Sequence, residues 1–306
     1  MLGTGDLKSI LLLGGSGYVG GAFRRLFAHD NVDCISVARR DHDYTDRDTL
    51  IRLIRDVKPD ALINCAGYTG KPNVDACELY KTDCLAGNAV LPGVISEACQ
   101  ACDLPWGHVS SGCIYTGARP DGSGFTEDDK PNFSFRTDNC SFYSGTKALG
   151  EETLASDPTV YIWRLRVPFN HIDSGRNYLS KLMRYERLLD ATNSLSHLDD
   201  FARCCFECLT RQVPTGVYNV TNTGAVSARE VVPLIKEHLS VEKTFTFFDS
   251  EEEFMRLAAT TPRSNCVLSN DKLKSVGIQI RDVRDAIADS LANWHPETTS
   301  AMEPSK

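Results

Sequence analysis

Short, largely apolar runs alternate with amphipathic ones along the first 168 residues. The start of SILLLGGSGYVGGAFRRLF (9–27), ALINCAG (61–67), WGHVSS (106–111) and TVYIWRLRVP (159–168) are such runs. Runs this short, without polar alternation, read as strands buried on both faces of a parallel sheet. VDCISVARR (32–40) reads as a further strand. Between them the period changes to that of a helix. DRDTLIRLIRDVKPD carries apolar Leu50, Leu53, Ile54 and Val57 on one face. GYVGGAFRRLF (17–27), a long stretch from Asp75 to Cys102, and FYSGTKALGEETLA (142–155) read as helices too. Strand–helix alternation of this kind predicts an α/β fold with a doubly wound parallel sheet.

The rhythm loosens after Pro168. Helices are expected over 176–189 and 198–212, a strand over 216–221, and a helix opened by a Ser227–Glu230 capping box. The expected organisation is a nucleotide-binding domain over 1–167 and a smaller α/β lobe over 168–294, some of whose elements return to the main sheet. Residues 295–306 read as a flexible polar tail.

With 306 residues, 42% of them hydrophobic, the chain can bury one large α/β unit or two lobes around a cleft. A net charge of -8 argues against nucleic acid or an anionic membrane as partner. No apolar run nears the ~20 residues of a membrane span, and the apolar start leads into a glycine turn rather than a signal cleavage site. A cytoplasmic location is expected, with the 12 cysteines as free thiols. The CxxC pairs Cys99/Cys102 and Cys205/Cys208 lie far apart in helical patterns, so helix packing is expected of both. The seven histidines form no HxH or HxxxH pattern, and no metal is expected.

The chemistry starts in the loop after the first strand. Gly14, Gly15, Gly17 and Gly20 form GGxGxxG between strand and helix. Such a turn lets backbone N–H groups approach a pyrophosphate at the helix N-terminus. The second strand ends in Arg39 and Arg40, where an NAD enzyme would usually offer an acid to the ribose hydroxyls. Arginine there suits a 2′-phosphate, so NADPH is expected over NAD(H). Tyr143 and Lys147, four apart at the start of a helix, share one face. A nearby ammonium favours the phenolate, which eases proton transfer at a carbonyl oxygen. Ser111, at the end of the fourth strand, can hydrogen-bond that same oxygen.

In this order, GGSGYVG, NCAG (64–67), Ser111 and YSGTK resemble the extended short-chain dehydrogenase/reductase family. The resemblance implies a Rossmann-type domain that binds NAD(P) through Gly14, Gly17, Tyr18, Gly20, Asn64, Ala66, Gly67, Tyr143 and Lys147. It also implies a C-terminal lobe for a nucleotide-sugar. Asn88 matches the family's structural active-site asparagine and is placed on the substrate side.

YTGKPNVDACE, SGCIYTG, PNFSFRTDNCSFYSGTKA, TGVYNVTNTGAVS and PRSNCVLSNDKLK, spread over roughly residues 60–275, narrow this further. They are similar to the branch that epimerises UDP-4-keto-6-deoxyglucose at C3 and C5 and reduces it at C4. They resemble the dTDP-4-dehydrorhamnose reductases more loosely. YSGTK stands where that branch has YSKTK, and Lys71 where it has arginine, which leaves UDP or dTDP open. The resemblance makes Cys113 and Lys181 the epimerase acid/base pair; the related GDP-fucose synthases pair such a cysteine with histidine. A free cysteine is otherwise most often a small buried hydrophobe. Thr69 and Lys71 are expected near the sugar, and Arg176, Asn177 and Arg263 near the diphosphate or base. A homodimer is also implied, and whether an upstream 4,6-dehydratase is a physical partner is left open. The alternatives are a reductase without epimerase activity and a non-catalytic NADP-binding regulatory subunit.

Overall fold

The computed structural model describes residues 7–71 and 73–296. β1 (Ser9–Leu13), α1 (Tyr18–Asp30), β2 (Asp33–Val37), α2 (Arg47–Val57) and β3 (Ala61–Asn64) build the first half of the sheet. A 3-10 turn (Val74–Glu78), α3 (Lys81–Leu85), a π-helical turn (Ala86–Val90) and α4 (Leu91–Ala101) follow. Then come β4 (Trp106–Ser111), α5 (Phe142–Thr153) and β5 (Val160–Leu165). The second half comprises β6 (Pro168–Phe169), β7 (Ile172–Asp173), α6 (Tyr178–Arg184), β8 (Arg187–Leu188), β9 (Ser196–His197), α7 (Leu198–Thr210) and β10 (Gly216–Asn219). It ends with α8 (Ala228–Leu239), β11 (Thr246–Phe247), α9 (Glu251–Leu257), α10 (Asp271–Ser275), α11 (Val283–Ala292) and β12 (His295–Pro296).

The main sheet is parallel, in the order β10-β5-β4-β3-β1-β2. Side chains alternate across it, as a period of two demands. Ile10, Leu12 and Ile63 join α1 and α7 on one face, against Phe23, Phe27 and Phe201. Leu11, Leu13 and Leu62 join α2 and α4 on the other, against Leu50, Ile54 and Ile95. The chain reverses direction across the sheet between β1 and β3, so their C-terminal ends open the crevice where such sheets take ligands.

A separate core joins α6, α8 and α11 through Leu179, Leu182, Val231, Ile235 and Ile287. The capping box is formed: Ser227 accepts from the Glu230 amide, and Glu230 accepts from the Ser227 amide. Cys99, Cys205 and Cys208 are buried free thiols in helix-packing positions. No helix among the described residues is long and apolar enough to cross a membrane.

Two expected helices are corrected. The stretch from Asp75 to Cys102 is broken at Leu79–Tyr80 and widened into a π turn at Ala86–Val90. There Asn88 turns inward to bond the backbone of Tyr68. The helix expected over 176–189 covers only Tyr178–Arg184, because Tyr185 turns extended and Arg187–Leu188 pair with Thr246–Phe247. The expected tail falls mostly on 297–306, outside the described residues; His295–Pro296 pair with Ile172–Asp173.

Candidate active site

The glycine loop leaves β1 and packs on the loop after β3. Gly14 holds φ +75°, and a Cβ there would lie 2.6 Å from the Ala66 nitrogen. A Cβ on Gly20 would lie 2.3 Å from the Gly14 carbonyl oxygen, so α1 starts closer to the loop than any larger residue allows. Gly17 is the N-cap of α1 and has no side chain to satisfy the first amides. Those amides are suited to an anionic group. The cradle therefore fits a dinucleotide pyrophosphate.

Asn64 is fully buried and acts from beneath. Its Oδ1 accepts from the Ala66 amide at 2.9 Å, and its Nδ2 lies 3.0 Å from His108 Nδ1. It shapes the loop from within the fold. Ala66, Gly67 and Arg39 line one cleft of about 620 Å³ with Tyr44 and Tyr68. Arg40 is instead exposed, 3.4 Å from Asp41. The Tyr18 hydroxyl donates to Asn170 Oδ1 at 3.1 Å, tying the glycine loop to the second half of the chain.

The end of β4 and the start of α5 bring four of the expected catalytic groups together. Ser111 caps a 3-10 turn, accepting from the Cys113 amide at 3.2 Å. Ser141 caps α5, accepting from the Ser144 amide, and so sets Tyr143 and Lys147 on the face towards β4. Lys147 is buried; its Nζ donates to the Val109 carbonyl at 3.5 Å, and no ion pair holds it among the described residues. Burial pushes its pKa down, against the pull of Cys113 and Glu151. Burial, and next the Cys113 thiol, push the Tyr143 phenol well above its ordinary range, while a hydrogen bond with Ser111 favours the phenolate. Its phenol is thus protonated at neutral pH.

Cys113 is 6% exposed and packs with Ile114, Tyr115, Phe125, Cys266 and Leu268, with Tyr143 against the cluster. Burial raises its thiol, and hydrogen bonds with Ser111 and Ser144 only partly oppose this. It is a thiol, not a thiolate, near neutral pH.

Lys181 lies on α6, in a cleft with Arg176 and Arg263. Burial lowers its pKa, and both arginines add to the effect. Cys113 is not among the residues that line this cleft, and no hydrogen bond or ion pair links it to Lys181 among the described residues.

Of the expected substrate contacts, Arg176 and Thr69 do meet: Arg176 donates to Thr69 Oγ1 at 3.2 Å and to the Gly70 carbonyl at 3.1 Å. Lys71 is exposed beside them. Arg263 lines the cleft, but its guanidinium is doubly bonded to Asp75, at 2.5 and 2.7 Å. Asn177 and Asn88 are both fully buried. Asn177 caps α6 and donates to the Asn170 and Ile172 carbonyls, each at 2.7 Å. Asn88 accepts from the Tyr68 amide at 2.9 Å and donates to the Tyr68 carbonyl at 2.8 Å. Both position the backbone around the site.

Asp75 went unread in the sequence. Its one local signal is Asn73, which caps the 3-10 turn through the Asp75 amide. The fold also gathers His171, His197 and Asp199, with ligand-type atoms within 4.8 Å of one another. Arg25 pairs with Asp199 and Arg281 with adjacent Asp200, each at 2.7 Å, so the chain's own cations already serve these acids.

A family model, the RmlD substrate binding domain, matches residues 8–295. A bifunctional dTDP-4-dehydrorhamnose 3,5-epimerase/reductase of Arabidopsis thaliana is 32% identical over 284 residues, covering 91% of each chain. A trifunctional UDP-glucose 4,6-dehydratase/UDP-4-keto-6-deoxy-D-glucose 3,5-epimerase/UDP-4-keto-L-rhamnose-reductase of the same plant is 33% identical over 291 residues. That match covers 93% of this chain, which spans only 42% of the relative's length. The crystal structure of a UDP-rhamnose synthase from Acanthamoeba polyphaga mimivirus superposes with a TM-score of 0.85 at 26% identity, covering 94% of this chain and 100% of that one.

Proposed function

The chain belongs to the RmlD substrate binding domain family, and we propose that it converts a nucleoside-diphosphate 4-keto-6-deoxyglucose into the L-rhamnose form. In this reading it inverts C3 and C5, then reduces the C4 ketone with NADPH. The observation that carries the proposal is the cluster of Ser111, Cys113, Tyr143 and Lys147 beside the glycine cradle; Lys181, in a cleft with Arg176 and Arg263, supplies the one further group the reading needs.

The nicotinamide, when bound, supplies the hydride for C4. Tyr143, kept protonated by burial, delivers the proton to the C4 oxygen. Lys147 stabilises the phenolate left behind, and Ser111 donates to the same oxygen. Arg39 lines the cleft with Ala66 and Gly67, where it can pair with a 2′-phosphate, which favours NADPH over NADH.

The epimerase half uses the acidity that the ketone lends to C3–H and C5–H. Lys181, its pKa lowered by burial and two arginines, is the base. It takes a ring proton and becomes an ammonium. The electron pair moves onto the C4 oxygen as an enolate, held by Ser111 and Tyr143. Cys113, whose thiol burial keeps protonated, returns a proton on the opposite face. Restoring the neutral pair for the next inversion requires proton exchange with solvent. The 4-keto substrate would come from a 4,6-dehydratase, an activity that the trifunctional relative's name includes.

A second reading, reduction without epimerisation, is favoured by the apolar packing and 6% exposure of Cys113. The two separate on incubation with UDP-4-keto-6-deoxyglucose and NADPH, with the product sugar identified by NMR. Rhamnose-configured product that disappears in Cys113→Ser supports the bifunctional reading. A C4-reduced sugar with unchanged C3 and C5 overturns it. Tyr143→Phe should lower reduction by roughly 10²- to 10⁴-fold in either case.

A further inference from the structure

Two buried arginines stand at the end of β5, and only one of them is balanced. Arg164 pairs with Glu151 through two of its nitrogens, at 3.1 and 2.7 Å, and its guanidinium lies 5.2 Å from the Tyr115 ring centroid. Arg166, two residues on, is 6% exposed and has no carboxylate partner among the described residues. Its Nη2 donates to two neutral groups, Asn193 Oδ1 and the Ser264 carbonyl. Its Nε is buried with no partner among the described residues. A buried cation without a counter-charge is costly, and such a group calls for an explanation in function.

The Arg166 side chain runs over the turn that carries Cys113. Its Cδ lies 3.5 Å from where a Cβ on Gly112 would stand. The segment it holds grips the same turn: Ser264 Oγ donates to the Tyr115 carbonyl at 2.6 Å, and the Cys266 thiol donates to the Gly112 carbonyl at 3.3 Å. The charges of Arg166 and Lys147 both favour the Cys113 thiolate, although burial outweighs them. The other titratable groups facing Cys113 among the described residues are Tyr143 and the thiols of Cys77, Cys140 and Cys266; none is a carboxylate.

We propose that Arg166 is a positioning residue that acts through Cys113, as the fixed counter-charge for the thiolate left when the thiol gives up its proton. In the epimerase half, the S–H bond breaks and the proton joins the ring carbon through the enolate's electron pair. The S–H pair stays on sulfur. Lys181 is then an ammonium in its own cleft, and Arg166 is the cation beside the new negative charge. The use of this charge in the reaction rests on the function proposed above. The charge itself is present in the resting protein, where it can be measured separately.

The test is an NMR pH titration of the protein carrying isotope-labelled cysteine, with the Cys113 signal assigned by its loss in Cys113→Ser. Deuterium uptake at C3 and C5 of UDP-4-keto-6-deoxyglucose is followed in parallel. Arg166→Met removes the charge. Asn193→Asp instead puts a carboxylate where Asn193 Oδ1 already accepts from Arg166, so it cancels the charge without touching the arginine. Losing the field of a neighbouring cation raises a thiol's midpoint by about 1 pH unit or more. The expected result is a Cys113 midpoint raised on that scale in both variants, with slower deuterium uptake. An unmoved midpoint, or uptake at the wild-type rate, in Asn193→Asp would overturn the proposal whether or not Arg166→Met folds, because an arginine with only a structural role keeps its bonds there. A raised midpoint with no uptake even by wild type would uphold the charge on Cys113 and overturn the epimerase reading instead.

Discussion

Replacing Asn88 with alanine separates a residue that holds the backbone from one that holds the sugar. In the fold, its amide satisfies both the N–H and the C=O of Tyr68 and also donates to Thr146 Oγ1 at 3.2 Å. The π turn that carries Asn88 is closed around those bonds. Alanine leaves both Tyr68 groups without their partner in a partly buried place. Each such loss costs about 1–3 kcal/mol, and water reaching the partly exposed Tyr68 lowers the sum, so the expected destabilisation is about 2–4 kcal/mol. For a chain of this size that lowers the melting temperature by roughly 4–10 °C. The assay is urea unfolding at fixed NADPH, paired with steady-state reduction of the 4-keto sugar well below the melting temperature. The expected result is a lower midpoint with kcat reduced, because the Tyr68–Gly70 segment shifts, and no selective rise in KM. Unchanged stability with a raised KM would refute the reasoning and return Asn88 to substrate contact.

Other outcomes follow from the same geometry. Arg39→Ala should weaken NADPH by roughly 10- to 100-fold, the worth of charge-assisted bonds to a phosphate, and leave NADH unchanged; Arg40→Ala should alter neither, by fluorescence titration. Hydrogen exchange at C3 and C5 should rise with pH as Lys181 loses its proton, with a midpoint below the ordinary lysine value of about 10.4. Arg176→Gln removes one of the two cations beside Lys181, so that midpoint should move to higher pH; an unmoved midpoint would exclude Lys181 as the titrating base. Arg263 holds the Asp75 carboxyl below its usual range, so their pair stabilises the fold above about pH 4 and is lost as pH falls through the lowered value. Asp75→Asn should therefore be less stable than wild type at pH 7, and the two melting curves should converge in acid.

The parts legible in the sequence are those set by neighbours along the chain. The glycine loop needs only a strand, a tight turn and a helix in succession. Tyr143 and Lys147 share a face because they stand four apart in a helix. The buried runs identify strands because both faces of the sheet are covered. What escaped depends on distant partners. Nothing near Asn88 announces a π turn, which exists to reach Tyr68 twenty residues back. Helix α6 stops at Arg184 because the next residues pair with a strand some sixty positions on. Arg263 reads as a free phosphate ligand until the fold sets Asp75 against it. His171, His197 and Asp199 meet although no local spacing joins them.

The central claim is that one constellation both inverts and reduces the sugar. Proton NMR of UDP-4-keto-6-deoxyglucose with the protein in D₂O, without NADPH, tests it most directly, comparing wild type with Cys113→Ala and Lys181→Ala. The account predicts enzyme-dependent deuterium uptake at C3 and C5 in wild type, strongly slowed in both variants. No uptake by wild type, with NADPH still consumed on a ketone already inverted at both centres, would contradict it and leave a reductase with a structural cysteine.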